Sequence, residues 1–193
     1  PTLRGITDTE PLHWSADRPN VKSFETTFTG LMAGTGPSEA EMDALAAYLR
    51  GLKPLPSIER GGEAELKPLA IRGAGVFQRA GCAACHAPPL FTDRELHDVG
   101  TGQPFYANPS GSGMVPEAMG TAFDTPSLRE LWLTAPYLHD GRAPALRDVL
   151  TTFNPTDRHG QTSGLPVDEL TALEAFLLGL PLTEQERAVL FGE

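Results

Sequence analysis

Apolar residues recur at helical spacing in three stretches of the chain. Met42, Leu45, Leu49 and Leu52 fall at i, i+3, i+7 and i+10, and Leu170, Leu173, Leu177 and Leu180 repeat the spacing. Each series is the stripe of an amphipathic helix that buries one face. Ser38 followed by Glu41 predicts a capping box at the start of the first. The third stretch, Leu66 to Ala80, carries Leu69, Ile71, Val76 and Phe77, with Gly73 and Gly75 thin enough to let another helix approach closely. Pro54-Leu55-Pro56-Ser57 and Gly61-Gly62 read as a linker. They divide the chain into residues 1–60 and 61–193.

These two parts share an internal repeat. Pro1-Thr2-Leu3-Arg4, Thr9 and Pro11 match Pro126-Ser127-Leu128-Arg129, Thr134 and Pro136, each pair 125 positions apart, and at that offset Trp14 falls on His139. The two apolar series match at 128, with Gly51 on Gly179. Both copies therefore end in the same helix, whereas only the second is preceded by the Leu66–Ala80 stretch.

Composition changes the picture in one respect. Eighteen prolines and twenty glycines stand beside nine phenylalanines, three tyrosines and two tryptophans. That balance predicts short helices, long connections and a prosthetic group supplying part of the apolar interior. A net charge of −10 would repel a phosphate backbone or an anionic membrane, which argues against nucleic acid as a partner. No apolar run approaches the length of a membrane span. The chain opens on Pro1-Thr2-Leu3 without a basic-then-apolar leader, which predicts a mature chain or a fragment.

The chemistry is concentrated in Cys82-Ala83-Ala84-Cys85-His86. A Cys-x-x-Cys-His run is the attachment site of a c-type haem: two thiols add across the porphyrin vinyl groups and the next imidazole is delivered to the iron. The same cysteine spacing serves redox pairs and half of a zinc site. These are the only two cysteines, so no second pair can complete a zinc ribbon, and a redox pair does not call for the histidine. The expected cofactor is one covalent haem c on Cys82 and Cys85 with His86 as proximal ligand. Haem of this type is attached outside the cytoplasm, so the expected location is periplasmic or otherwise extracytoplasmic.

Around that motif stand Phe91-Thr92-Asp93, His97-Asp98-Val99-Gly100, Thr125-Pro126-Ser127-Leu128-Arg129 and Thr134-Ala135-Pro136-Tyr137-Leu138-His139-Asp140-Gly141. Together they resemble the C-terminal haem domain of bacterial di-haem cytochrome c peroxidases and their MauG relatives. Residues 1–60 resemble the rear half of the N-terminal haem domain, where His13-Trp14-Ser15-Ala16-Asp17-Arg18 stands for a Phe-Trp-Asp-Gly-Arg run, keeping the Trp and lacking the Asp-Gly. The resemblance implies an all-α fold: a cytochrome c-like haem domain with long irregular loops, in which the helix before the motif crosses the terminal one, preceded by a partial cytochrome c-like unit without its haem motif. It implies an electron-accepting relay within a di-haem peroxidase-like enzyme. Its partners would be an electron-donor protein or small redox carrier and the missing N-terminal haem domain.

Site roles follow from the same resemblance. Met119-Gly120-Thr121-Ala122-Phe123 matches a Met-Gly-x-Phe run one residue longer than usual, which makes Met119 the expected sixth ligand, with Met114, His139 and His97 as alternatives. Trp14 and His139 are expected near the haem as catalytic residues, Trp14 mediating electron transfer between haems. A planar guanidinium suits a haem propionate, so Arg129 is a cofactor-binding candidate, while Arg142 reads as a surface residue. His13 and His159 read as solvated loop residues and Met42 as core. A stand-alone mono-haem carrier without peroxide chemistry is the alternative function.

Overall fold

The computed structural model describes residues 2–60, 66–102 and 121–192. Among the described residues six α-helices carry the fold: α1 (Glu25–Gly30), α2 (Glu39–Gly51), α3 (Pro68–Arg79), α4 (Leu146–Leu150), α5 (Val167–Leu178) and α6 (Glu184–Phe191). At the start of α2 the Ser38 hydroxyl accepts from the Glu41 amide while the Glu41 carboxylate accepts from the Ser38 amide, so the capping box forms. Thr183 and Glu186 repeat the device on α6.

The main core lies between α3 and α5. Phe77, Phe91, Leu173, Phe176 and Leu180 are fully buried there, and the rings of Phe77 and Phe176 stand 5.2 Å apart. The crossing depends on Gly73: a Cβ added there would lie 1.9 Å from the Ala172 carbonyl oxygen, closer than any side chain could be tolerated. Gly75 is not demanded in this way, since its added Cβ would meet only the Arg79 side chain at 3.4 Å. A smaller core joins Leu12, Val21, Ala46 and Leu49, with Ile6, Phe24, Leu45 and Leu52 packed against it.

The all-α expectation needs one correction. Leu96–His97 (β1) pairs antiparallel with Phe123–Asp124 (β2), in register Leu96 with Asp124 and His97 with Phe123. Two residues per strand offer no alternation for a sequence pattern to reveal.

The internal repeat is written in the backbone. Gly5 (φ 70°) and Glu130 (φ 63°), 125 positions apart, both take the left-handed conformation that opens a 3₁₀ turn, Ile6–Asp8 and Leu131–Leu133. Leu12 bridges Arg18 as Tyr137 bridges Ala143. His13 (φ 72°) matches Leu138 (φ 68°), and Ala16 (φ 54°) takes the left-handed place of Gly141 (φ 70°). The Trp14 segment thus keeps the local geometry of its counterpart without the glycine.

The two copies also touch through equivalent residues. Arg4 Nε donates to Glu130 Oε1 at 2.7 Å, and the Arg129 guanidinium donates to the Gly5 carbonyl at 3.1 Å. Arg4 corresponds to Arg129 and Gly5 to Glu130, so this is the reciprocal pattern of a two-fold contact. Between the copies, Arg60 is buried and paired with Glu186, and it also donates to the Gly179 and Pro181 carbonyls.

Candidate haem site

Gly81, at φ 80°, ends α3 by turning the chain out of the helix, and Cys82–Ala84 follow as a 3₁₀ turn. The His86 amide donates to the Cys82 carbonyl at 2.9 Å, closing the motif on itself. The His86 ring is buried, and its Nδ1–H donates to the Phe91 carbonyl at 3.0 Å. That bond fixes the tautomer and leaves the Nε2 lone pair for a metal. Burial lowers the His86 pKa to about 4, so the ring is neutral at physiological pH, as a ligand must be.

The thiols are free of each other. Burial pushes Cys82 up to about 11 and raises Cys85 as well. Reactive redox cysteines need the opposite shift. Two protonated thiols on one turn beside a neutral imidazole form a donor set that fits c-type haem, with Cys82 and Cys85 holding the porphyrin edge and His86 the iron. Cys85, Asp93 and His97 also gather, with one donor atom from each within 4.8 Å of the others. The sulfur of that group belongs to the attachment motif, and the His97 Nε2 is held by Asp93 at 2.8 Å.

Trp14, Phe123 and His139 form a second cluster. The Phe123 and His139 rings stack at 3.9 Å with 16° between planes, and Trp14 stands edge-on to both at 6.3 Å. The Asp124 amide donates to the Trp14 carbonyl at 2.8 Å, tying the first unit to β2. Burial, followed by the nearby Asp93 and Glu95 carboxylates, raises the Asp124 carboxyl to about 7.

The other candidates are placed as follows. The Arg129 guanidinium reaches the first unit through the Gly5 carbonyl and Asp8 at 3.6 Å, and its Nε donates to the Ser127 hydroxyl at 3.0 Å. Arg142 pairs with Asp140, and exposed His13 with Asp17 at 2.8 Å. Met42 is buried as expected of core. Met114 and Met119 lie outside the described residues. His159 is a correction: it is not a solvated loop residue but half-buried, with burial lowering its pKa, and its ring centroid is 6.3 Å from that of His86.

Fold and motif together define a cytochrome c-like haem protein. A family model described as RoxA-like, cytochrome c-like matches residues 122–160. The hydrazine synthase gamma subunit of Kuenenia stuttgartiensis is 31% identical over 175 residues, covering 74% of this chain and 50% of that protein. The methylamine utilization protein MauG of Methylorubrum extorquens is 40% identical over 121 residues, covering 57% and 33%. A solved structure of Kuenenia stuttgartiensis hydrazine synthase superposes with a TM-score of 0.77 at 25% identity, covering 92% of this chain and 70% of that one. The chain belongs to the family of di-haem cytochrome c peroxidases and MauG-like proteins. It spans about half the length of the first of these curated relatives and a third of the second.

Proposed function

We propose that the chain is the electron-accepting relay part of a di-haem peroxidase-like oxidoreductase, carrying one covalent haem c and working outside the cytoplasm. The observation that carries this reading is the buried, neutral His86 ring, oriented by the Phe91 carbonyl beside Cys82 and Cys85. The haem, when bound, supplies reversible one-electron chemistry. The protein's own groups hold and shield it. Phe77, Phe91 and Phe176 form a rigid apolar wall behind the motif, which excludes water and lowers the local dielectric. Nδ1 of His86 keeps its proton on the Phe91 carbonyl, so the ring stays in one orientation through either oxidation state.

The Trp14, Phe123 and His139 cluster is the proposed route toward a second haem. It joins the two units through ring contacts, and aromatic rings at this spacing make a continuous path across the interface. A segment bearing that haem would pack on the first unit, and a donor protein or small redox carrier would supply electrons. Acid-acetone extraction tests the core of the reading. Colour should stay with the wild-type protein, Cys82→Ala with Cys85→Ala should release it, and the intact mass should rise by one haem. Haem extracted from the wild type, or zinc found in its place, would sink the proposal.

A further inference from the structure

We infer that His159, and not a methionine, is the sixth ligand of the haem iron. The inference rests on reading Cys82 to His86 as the attachment motif, and two independent observations carry it. The first is the spacing of the two imidazoles. A histidine nitrogen binds a first-row metal at about 2.0–2.1 Å and the ring centroid lies about 1.1 Å behind it, so two rings on opposite sides of one ion stand roughly 6 Å apart. The His86 and His159 centroids are 6.3 Å apart, with 43° between planes. An edge-to-face or stacked ring pair would also tolerate that distance. Here, though, neither ring nitrogen of His159 has a hydrogen-bond partner among the described residues, although the ring is desolvated.

The second observation is the clamp that presents the ring. Asn154 is 2% exposed, and its side chain accepts from the His159 amide at 2.8 Å and donates to the His159 and Gly160 carbonyls at 3.2 and 2.7 Å. Buried Thr162 shares the Asn154 amide group at 2.8 Å, and the Asp157 carboxylate accepts from the Thr162 and Ser163 amides. This loop is seated on the attachment motif. The Gln161 amide donates to the Ala80 carbonyl at 2.8 Å, and a Cβ added at Gly160 (φ 82°) would stand 3.2 Å from that carbonyl oxygen and in ordinary contact with the Cys82 sulfur at 3.5 Å. These seven hydrogen bonds fix a histidine beside the haem motif, its ring 6.3 Å from a proximal ring that is itself locked. Two imidazoles also set a lower potential than imidazole with thioether, so the relay would donate its electron more readily onward.

The test uses the haem-loaded protein in its ferric form, read by visible absorption, electron paramagnetic resonance and near-infrared magnetic circular dichroism. The wild type should be low-spin with the bis-imidazole signature and without the weak red-end band of methionine ligation. His159→Ala should lose the low-spin signal, with free imidazole restoring it, and Met119→Ala should leave the spectrum unchanged. His159→Met should stay low-spin, gain the red-end band and raise the midpoint potential. Asn154→Ala should give a low-spin and high-spin mixture. Low-spin haem persisting in His159→Ala, together with its loss in Met119→Ala or Met114→Ala, would overturn the inference while leaving the attachment site intact. A wild type without covalent haem would overturn both.

Discussion

α2 and α5 align residue for residue at an offset of 128, yet they meet different surroundings. Ala172, Leu173 and Phe176 of α5 are fully buried under α3. Their counterparts on α2 are Ala44, Leu45 and Tyr48, of which Ala44 is exposed and Tyr48 is 66% exposed. The other flank is buried in both copies, through Met42 and Leu49 in one and Leu170 and Leu177 in the other. The apolar stripe alone therefore does not tell how much of a helix is covered. What differs is the presence of a crossing helix with a glycine at the contact, which the second unit has in α3.

The comparison breaks first at its most asymmetric pair. Phe176→Ala should cost about 3–5 kcal/mol of stability, while Tyr48→Ala should stay within about 0.5 kcal/mol, read by urea unfolding of the haem-loaded protein. Equal losses would mean that α2 is covered in solution. Gly73→Ala should cost about 3 kcal/mol or more, because the new methyl has to displace the α5 backbone. A neutral result would show that the crossing adapts.

The two-fold contact gives a finer comparison. Glu130→Ala removes the acceptor for Arg4 and for the Leu55 amide and should cost about 1–3 kcal/mol. Arg129→Ala removes the donor to the Gly5 carbonyl, the link to Asp8 and a bond to the Ser127 hydroxyl within its own unit, and should cost about 1 kcal/mol. The reverse ranking would mean that the arginines, not the residues they meet, set the strength of the joint.

The smallest effect is one of pH. Glu186 is held below its ordinary value of 4.5: burial acts against this, and the hydrogen bonds from Arg60 and from the Thr183 and Leu66 amides outweigh it. A depressed carboxylate contributes stability that is fully present above its unfolded value and is lost as pH falls through the folded one. Thermal stability should therefore decline below about pH 4.5, and less steeply in Glu186→Gln, which starts lower. Identical slopes would assign the acid loss to other carboxylates.

Much of this was legible where a pattern spans several turns or a fixed spacing encodes chemistry. The stripes of α2 and α5, the thin face of α3 at Gly73 and the Cys82–His86 motif are of this kind. α6 was readable in principle, since Thr183 and Glu186 form a capping box, but its short amphipathic run is polar and weak. The burial of His159 escapes a sequence pattern for a physical reason. Asp157-Arg158-His159-Gly160 is as polar as any surface loop, and what holds it in is Asn154 bonding its backbone and being held in turn by Thr162, contacts that leave no local period. The partners of Arg129 in the first unit lie 121 to 124 positions away, beyond what adjacency in sequence can suggest.

The reciprocal joint of Arg4 with Glu130 and Arg129 with Gly5 has a consequence for tethering. Between separate chains, a patch held by so few polar contacts and one aromatic cluster would associate weakly. Joined by the Lys53–Leu66 connection, each half meets the other at an effective concentration on the order of millimolar, so the same patch suffices to hold them together. The tether therefore lets the two sides of the joint differ: one arginine meets a buried carboxylate, while its twin meets a backbone carbonyl and a half-exposed carboxylate.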